Sequence, residues 1–392
     1  MKAQRPDTLL THAGNDPRSN HGIVNPPVYH ASTVLFPSLA ALEESDRNPF
    51  EIVNYGRVGT PTSQAFEEAC ARLDGGYRGI ATSSGLAAIT TALLACVKAG
   101  DHVLITDSVY GPTRRFASQT LTRLGVEVEY YDPLIGSGIA ALLRPNTSTI
   151  FLESPGSLTF EVQDVPAICA TAKAAGVRTI IDNTWATPLF FKPLAHGVDI
   201  ALQSATKYIV GHSDAMLGII VTGEALFTPL KRMAVELGNC AGPDDLYLGL
   251  RGLRSMAVRL RRHQDSALEV ARWLQARPEV ARVIHPALPG DAGHDLWRRD
   301  FTGASGLFSI VLKPCAKEAV AAMVDGMALF GIGYSWGGYE SLILPCHPAR
   351  IRTATRWDEL GPVVRLHIGL EDVADLTADL EAGFARLAEA AR

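Results

Sequence analysis

The chain has 392 residues, 47% hydrophobic and 20% charged, a composition typical of globular proteins with large cores. Its formal charge is −5 and its basic residues form no long run, which argues against nucleic acid as the main partner. There is no apolar run of membrane-spanning length, no secretory signal, no C-x-x-C pair among the six cysteines and no metal-site spacing among the 11 histidines, so we expect a cytoplasmic protein without disulfides, membrane contact or metal.

The first segment, residues 1–57, is interrupted by prolines and shows little periodicity. Prolines occur in Asn25-Pro26-Pro27, Phe36-Pro37 and Asn48-Pro49, which predicts an extended arm. A segment of this length without regular structure is not stable alone. We therefore expect it to be ordered by packing on another subunit.

Residues 58–253 alternate helical and strand patterns. The pattern predicts helices at 87–98, 111–124 and 165–175, and strands at 102–106, 126–130, 149–153, 178–182 and 217–222. Helices alternating with apolar strands predict a mostly parallel sheet that is covered on both faces. Ligands of such sheets bind at the carboxyl ends of the strands.

Residues 254–392 form the third predicted part. An amphipathic helix at 256–275 is followed by strands at 281–284, 307–312 and 363–368 and by helices at 318–330 and 376–391. This mixture predicts a smaller α/β domain whose sheet is partly antiparallel.

The candidate catalytic residues of the second part, residues 58–253, are a lysine and an acid. Asp182 ends the strand 178–182, and Lys207 follows in Ser204-Ala205-Thr206-Lys207-Tyr208. A lysine amine can bind an aromatic aldehyde cofactor as a Schiff base, and a carboxylate can keep the pyridine nitrogen of that cofactor protonated. Taken alone, Lys207 is more often a solvated surface lysine and Asp182 more often a turn cap, and only their occurrence together, in this order, favours the functional interpretation.

Three further features agree with such a cofactor. Ser204 and Thr206 are two residues apart, so an extended segment presents both hydroxyls on one face, where they can donate to a phosphate. The helix start at Ser84-Gly85-Leu86 offers backbone N–H groups to an anion, although no Walker-type pattern is present. Tyr110 follows the strand 102–106 in a turn that can lay its ring on the cofactor.

Six stretches that span nearly the whole chain carry a recognisable pattern. The stretches are Tyr55-Gly56-Arg57-Val58-Gly59-Thr60-Pro61-Thr62, Ser84-Gly85-Leu86-Ala87-Ala88, Asp182-Asn183-Thr184-Trp185-Ala186-Thr187-Pro188, Ser204-Ala205-Thr206-Lys207-Tyr208, Ser335-Trp336-Gly337-Gly338-Tyr339-Glu340-Ser341-Leu342 and Val364-Arg365-Leu366-His367-Ile368-Gly369-Leu370-Glu371. In this order they resemble one enzyme family, the Cys/Met-metabolism group of pyridoxal-phosphate enzymes, and within it the bacterial cystathionine β-lyases.

The resemblance implies a fold-type I architecture, a pyridoxal 5'-phosphate cofactor, an amino-acid substrate and a homotetramer built from dimers with shared active sites. It assigns the Schiff base to Lys207, the pyridine nitrogen to Asp182 and ring stacking to Tyr110. It also implies that the cofactor phosphate is bound within one subunit by Gly85, Leu86, Ser204 and Thr206. The phosphate of the neighbouring subunit would be contacted by Tyr55 and Arg57. The substrate α-carboxylate would be bound by Arg365, with Ser335 and Trp336. Lys207, Tyr110 and Tyr55 are the implied catalytic residues.

The strand pattern supports the role of Arg365 independently. Alternation places Val364, Leu366 and Ile368 on one face and Arg365 with His367 on the other. A guanidinium offers a forked pair of donors that fits a planar carboxylate. The other interpretation is that Arg365 points to solvent.

The reaction implied is β-elimination from a thioether amino acid. Family members that act at Cγ commonly carry leucine in the position of Trp336 and asparagine with proline in the positions of Ser157 and Leu158. The residues here favour β-elimination, with Lys207 as the general base. Cystathionine γ-lyase or methionine γ-lyase activity remains the first alternative, and a weakly catalytic, pyridoxal-binding regulatory protein the second.

Overall fold

The structure, a computed structural model, describes residues 4–391 of the chain. The α-helices are α1 (Pro6–His12), α2 (Leu39–Arg47), α3 (Pro61–Asp74), α4 (Gly85–Cys96), α5 (Gly111–Arg115), α6 (Val165–Ala174), α7 (Thr187–Phe190), α8 (Glu224–Glu236), α9 (Pro243–Gln275), α10 (His294–Asp300), α11 (Lys317–Asp325) and α12 (Val373–Ala390). The strands are β1 (Arg78–Thr82), β2 (His102–Thr106), β3 (Glu127–Tyr131), β4 (Thr147–Glu153), β5 (Arg178–Asp182), β6 (Ile200–Ser204), β7 (Gly218–Thr222), β8 (Val280–Ile284), β9 (Leu307–Leu312), β10 (Gly331–Ile332), β11 (Leu342–Cys346) and β12 (Val363–His367).

The larger sheet has seven strands in the order β1-β7-β6-β5-β4-β2-β3. All of them point the same way except β7, which is antiparallel to both of its neighbours. Along β2, Leu104 packs into the core on one face, while Val103 and Ile105 pack into the core on the other. Both faces are therefore covered, and the predicted mostly parallel sheet is confirmed.

The smaller sheet has five strands in the order β10-β11-β12-β9-β8, antiparallel except for the pair β10–β11. Helix α9 packs against α3 of the large domain and against β8 and α12 of the small one. It begins 13 residues before the predicted residue 256, because Pro243 suits a first helical turn and Asp244 and Asp245 complement its dipole. The predicted boundary at residue 254 therefore falls within one continuous helix.

One other predicted helix and the predicted extended arm differ from the observed structure. The helix predicted at 111–124 has its α-helical part at Gly111–Arg115 and continues as a π-helical turn, Phe116–Leu121. The arm is not wholly extended, because α1 and α2 form within it. Arg254 holds the end of α1 by donating to the carbonyl oxygens of Leu10 and Ala13.

Within residues 4–391, no helix combines the length and the apolar composition required to cross a membrane.

Candidate active site

Polar residues lie at the edge of the large sheet where five of its parallel strands end. Because β1, β2, β4, β5 and β6 point the same way, their carboxyl ends meet at this edge. Glu153 and Asp182, the last residues of β4 and β5, are opposite each other in register. Ser204 ends β6, and Tyr110 lies four residues beyond β2. We call this the carboxyl edge.

Lys207 lies in the turn after β6 and is partly buried. Its Nζ donates to Ser335 Oγ at 2.7 Å and lies 5.2 Å from the ring centroid of Trp336. Burial, and then the positive charge of Arg365, lower the pKa of Lys207 to about 8, while Asp182 acts in the opposite direction. A substantial fraction of the amine is therefore neutral near pH 8, and a neutral amine can act as a nucleophile or base.

Asp182 is 8% exposed and anchored through one oxygen. Its Oδ1 accepts from the backbone N of Thr184 at 2.9 Å and from the hydroxyl of Thr184 at 2.5 Å. No residue between 4 and 391 donates to Oδ2. Burial raises the pKa of this carboxyl, and the bonds from Thr184 and the charge of Lys207 limit the rise. The second oxygen is left for a cationic N–H from a ligand.

Glu153 is a site residue that the sequence reasoning missed. Its Oε2 accepts from the backbone N of Tyr110 at 2.7 Å, so it fixes the turn that presents the half-exposed ring of Tyr110. Burial and the adjacent Asp182 raise the pKa of Glu153 well above its usual value. Its position at the end of the predicted strand 149–153, the same place that drew attention to Asp182, was the available signal.

The start of α4 lies against Ser204. A Cβ on Gly85 would clash with the side chain of Ser204, so glycine permits this close approach. The next residue, Leu86, is 40% exposed, and the N-cap Ser84 accepts from Ala87 N. The helix therefore presents its N-terminal amides beside a serine hydroxyl, an arrangement suited to an anion.

The geometric prediction for Thr206 is wrong. Strand β6 ends at Ser204, so the two hydroxyls do not lie on one face of an extended segment. Instead, Thr206 Oγ1 donates to the carbonyl oxygen of Leu217 at 3.1 Å and accepts from Leu217 N at 2.9 Å. Its hydroxyl proton is used to fix the turn that carries Lys207.

Arg365 lies on β12 as the alternation predicted. Val364, Leu366 and Ile368 pack into the core of the small domain, whereas Arg365 is on the opposite face and 9% exposed. Its Nη2 donates to the carbonyl oxygens of Gly333 and Tyr334, at 3.2 and 3.0 Å. The interpretation of Arg365 as a solvent-facing strand residue is therefore wrong.

Tyr55 and Arg57 are not brought to the carboxyl edge. Tyr55 is 44% exposed, and an isolated bridge pairs its backbone with that of Thr33. Arg57 Nη1 donates to the carbonyl oxygen of Val235 at 2.5 Å, and its guanidinium carbon is 5.9 Å from the ring centroid of Tyr55. In the part of the chain that the structure describes, neither residue contacts Lys207 or its neighbours.

The donors at the carboxyl edge fit a phosphorylated pyridine aldehyde. An amine of lowered pKa can bind the aldehyde, Oδ2 of Asp182 can accept from a pyridinium N–H, and the α4 N-terminus with Ser204 can receive the phosphate. The exposed ring of Tyr110 offers a flat aromatic surface. The aldehyde, the pyridine nitrogen, the phosphate and the ring of such a cofactor each have a counterpart among these residues.

Comparison with known proteins gives the same family. A family model described as Cys/Met metabolism PLP-dependent enzyme matches residues 7–385. The cystathionine beta-lyase of Escherichia coli is 47% identical over 394 residues, which cover 99% of this chain and 100% of that protein. An L-alanine/L-glutamate racemase of Wolbachia pipientis is 43% identical over 396 residues, with 97% of each chain covered. The crystal structure of a cystathionine gamma synthase from Xanthomonas oryzae superposes with a TM-score of 0.90 at 32% identity, covering 99% of each chain.

Proposed function

The chain belongs to the Cys/Met-metabolism family of pyridoxal-phosphate-dependent enzymes, and from this premise we propose that it is a cystathionine β-lyase. It cleaves L-cystathionine to homocysteine, pyruvate and ammonia. The observation that carries the proposal is the position of the Lys207 amine, partly buried, bonded to Ser335 and facing the indole of Trp336. A single base is thereby held beside the space in which an amino-acid substrate has to react.

The cofactor is held by residues of the carboxyl edge. Lys207 binds its aldehyde, Asp182 its pyridine nitrogen and Tyr110 its ring, while Ser204 and the backbone amides of Gly85 and Leu86 receive its phosphate. When bound, pyridoxal phosphate withdraws electrons from Cα of an attached amino acid, which makes the Cα–H bond acidic. Thr206 contributes through the turn that it fixes, because its hydroxyl already donates to Leu217.

The substrate is held by Arg365 and Ser335. The guanidinium of Arg365 is partly committed to two carbonyl oxygens through Nη2, and its remaining N–H groups are available to the substrate α-carboxylate. The hydroxyl of Ser335 orients the same end of the substrate. Arg365 also adds positive charge that lowers the pKa of Lys207, so one side chain serves both binding and the base.

Lys207 moves the protons. Lys207 would hold the aldehyde before substrate binds; its free Nζ removes the proton from Cα and delivers a proton to the sulfur that departs from Cβ. With a pKa of about 8, the amine is neutral often enough to accept the first proton and basic enough to keep it until the sulfur leaves. Tyr110 keeps the reacting plane covered on the side of its ring.

Trp336 favours elimination at Cβ. Its indole lies over the Lys207 amine and narrows the space in which a second proton would have to be removed from Cβ. Elimination at Cγ requires that second transfer, whereas elimination at Cβ requires only the proton from Cα. The alternative is a γ-lyase, and the racemase among the relatives adds a third outcome, since removal and return of the Cα proton alone racemises an amino acid.

Product analysis tests the reaction. We expect pyruvate and homocysteine from L-cystathionine, no 2-oxobutyrate, and little D-alanine from L-alanine. Chromatography of the oxoacids distinguishes pyruvate from 2-oxobutyrate, and chiral chromatography of the amino acids detects D-alanine. Dominant 2-oxobutyrate identifies a γ-lyase, rapid formation of D-alanine with little pyruvate identifies a racemase, and cofactor binding without any product supports a regulatory protein.

We further propose that the enzyme is a cytoplasmic homotetramer built from dimers with shared active sites. The segment between α1 and α2 exposes Ile23, Val24 and Leu35 at 59%, 67% and 88%, more apolar surface than a free arm retains in water. Tyr55 and Arg57 lie at the end of this arm, far along the chain from Lys207. In a dimer they reach the phosphate bound by the neighbouring subunit.

Subunit mixing tests the shared site. Lys207→Ala and Arg57→Ala proteins are each expected to be nearly inactive, but hybrids contain one site with both native residues. After unfolding and refolding together, the mixture should recover up to about a quarter of native activity, because random pairing leaves one intact site in half of the dimers. Arg47→Ala, which removes an exposed arginine of α2 paired with Glu44, is the matched control and should retain full activity. A mixture that stays inactive although mass spectrometry detects hybrids contradicts the shared site.

A further inference from the structure

The segment that carries Ser335 and Trp336 has no regular structure of its own. It runs from Gly333 to Ser341, between β10 and β11, and we call it the indole segment. Arg365 on β12 binds the carbonyl oxygens at its start. At its end, Glu371 accepts from the backbone N and the hydroxyl of Ser341, at 2.7 and 2.9 Å. Leu370 N donates to the carbonyl oxygen of Tyr339 at 2.8 Å, and the pair Gly337–Gly338 lies between this bond and the bonds from Arg365.

His367 contacts this glycine pair. It follows Arg365 by two residues, so both side chains lie on the same face of β12, and it is 1% exposed. Its Nε2 lies 3.2 Å from the backbone N of Gly337 and 3.2 Å from the carbonyl oxygen of Gly338. Either tautomer of the neutral ring therefore makes one hydrogen bond to this glycine pair, as acceptor from Gly337 or as donor to Gly338.

The glycine pair is also where the indole segment meets the lysine. Gly337 has a φ of +94°, and a Cβ placed on it would lie 3.0 Å from the Cα and Cβ of Lys207. The residues just before it are the two that contact the Lys207 amine, Ser335 through a hydrogen bond and Trp336 through its ring. A displacement of Gly337 therefore moves both of these contacts.

Aromatic packing joins the same residues from behind. The ring of Tyr208, the residue after Lys207, lies 5.5 Å from that of Trp336 and 5.9 Å from that of His367. The Tyr208 hydroxyl accepts from Gly306 N at 3.0 Å, which fixes the ring. Tyr208 can support the indole from one side, whereas the hydrogen bond to the Gly337–Gly338 backbone comes from the side chain of His367.

We propose that His367 is a positioning residue, whose Nε2 holds the Gly337–Gly338 backbone so that Ser335 and Trp336 stay against the Lys207 amine. The proposal rests on the proposed roles of Ser335 and Trp336 at the substrate site. His367 itself touches neither substrate nor cofactor. Its effect passes through the backbone of the indole segment, so the atom that matters is Nε2 and not the volume of the ring.

Two substitutions of His367 distinguish a role of its Nε2 atom from a role of its ring volume. The amide of glutamine reaches about as far as Nε2 of histidine, whereas the amide of asparagine ends near the position of Nδ1. We expect His367→Gln to keep kcat/KM within about threefold of the native value and His367→Asn to lower it by about tenfold or more, as expected for the loss of a buried hydrogen bond.

His263 provides the matched control. Its ring lies 5.2 Å from that of His367 and is equally buried, but it bonds through Nδ1, at 2.8 Å from the carbonyl oxygen of Ile368, and does not contact the indole segment. His263→Asn keeps a donor near Nδ1 and should leave activity close to native. A similar loss in His263→Asn and His367→Asn means that the buried histidines act only through packing and overturns the proposal.

A second readout uses the protein without cofactor or substrate. Acrylamide quenching of Trp336 emission is obtained as the difference between each protein and its Trp336→Phe counterpart. Quenching should increase in His367→Asn and stay native in His367→Gln. This readout does not depend on which products the enzyme forms, so failure of the β-lyase assignment and failure of the positioning role are distinguishable.

Two results would contradict the positioning role of His367. Loss of activity in His367→Asn with unchanged Trp336 quenching overturns the proposal, and so does equal behaviour of the asparagine and glutamine variants. If His367→Asn does not fold, His367→Gln decides alone: native quenching with kcat/KM within about threefold supports the role of Nε2. A tenfold loss in that variant contradicts it.

Discussion

Buried ionisable side chains have different surroundings at the two edges of the large sheet. At the carboxyl edge, Lys207 donates to Ser335 and Asp182 accepts from Thr184. At the opposite, amino edge, Asp74 ends α3 just before β1 and is 2% exposed, and within residues 4–391 neither of its carboxylate oxygens has a hydrogen-bond partner. The buried groups at the carboxyl edge are thus organised for a ligand, whereas the ionised form of Asp74 opposes folding.

The largest effect is expected at the carboxyl edge, from Lys207→Ala. Removing the amine removes both the attachment of the cofactor and the base, so kcat should fall by at least about a thousandfold. The visible absorption of the lysine-bound cofactor should disappear from the purified protein. Absorption spectra and steady-state assays measure the two effects.

Lys231→Ala is the matched control for that change. Lys231 is also buried, at 9% exposure, but its Nζ pairs with Glu67 at 3.2 Å. The variant should keep the cofactor absorption and most of the turnover, with a loss of thermal stability. If Lys207→Ala retained native turnover without added amine, Lys207 would not be the reacting group and the contrast between the edges would lose its functional meaning.

Much of the carboxyl edge could be predicted from the sequence, because local pattern and chemistry coincide there. The predicted strands 102–106 and 178–182 match β2 and β5, since both are short, apolar and bounded by turn residues. The alternation in β12 placed Arg365 correctly because a one-residue shift would bury its charge in the core.

What could not be predicted depends on contacts between distant parts of the chain. Lys207 and Ser335 are 128 residues apart, and no local pattern states that they touch. The same holds for Thr206, whose turn is fixed by Leu217. The arm was predicted as extended because its prolines are visible locally, whereas α1 is stabilised by Arg254, 241 residues from Ala13.

The hydrogen bonds of His367 could not be predicted from the sequence either. The alternation in β12 placed His367 on the face of Arg365, but the motif did not indicate that one nitrogen would hold a glycine backbone 29 or 30 residues away. Periodicity gives the face of a strand on which a side chain lies. It does not give the atom to which that side chain bonds.

The smallest effect is expected at the amino edge, from Asp74→Asn. Burial raises the pKa of Asp74 to about 7, against the opposing charge of Lys192. The folded state therefore binds a proton more tightly than the unfolded state, whose carboxyl titrates near its ordinary value of about 4. Native stability should fall as the pH rises from about 4 to 7 and then level off, by up to roughly 4 kcal/mol from this group.

An asparagine cannot ionise, so Asp74→Asn should not show this loss. Its melting temperature should be close to the native value near pH 4, exceed it increasingly up to about pH 7 and keep a constant lead above that, with turnover unchanged. Asp182→Asn is the matched variant at the carboxyl edge, where the change should slow turnover greatly because the carboxylate is needed by the pyridine nitrogen. Thermal unfolding of all three proteins between pH 4 and 8 measures the difference. A constant gap between Asp74→Asn and the native protein across that range would show that the Asp74 carboxyl does not titrate with a raised pKa, and the two edges would then treat buried charge alike.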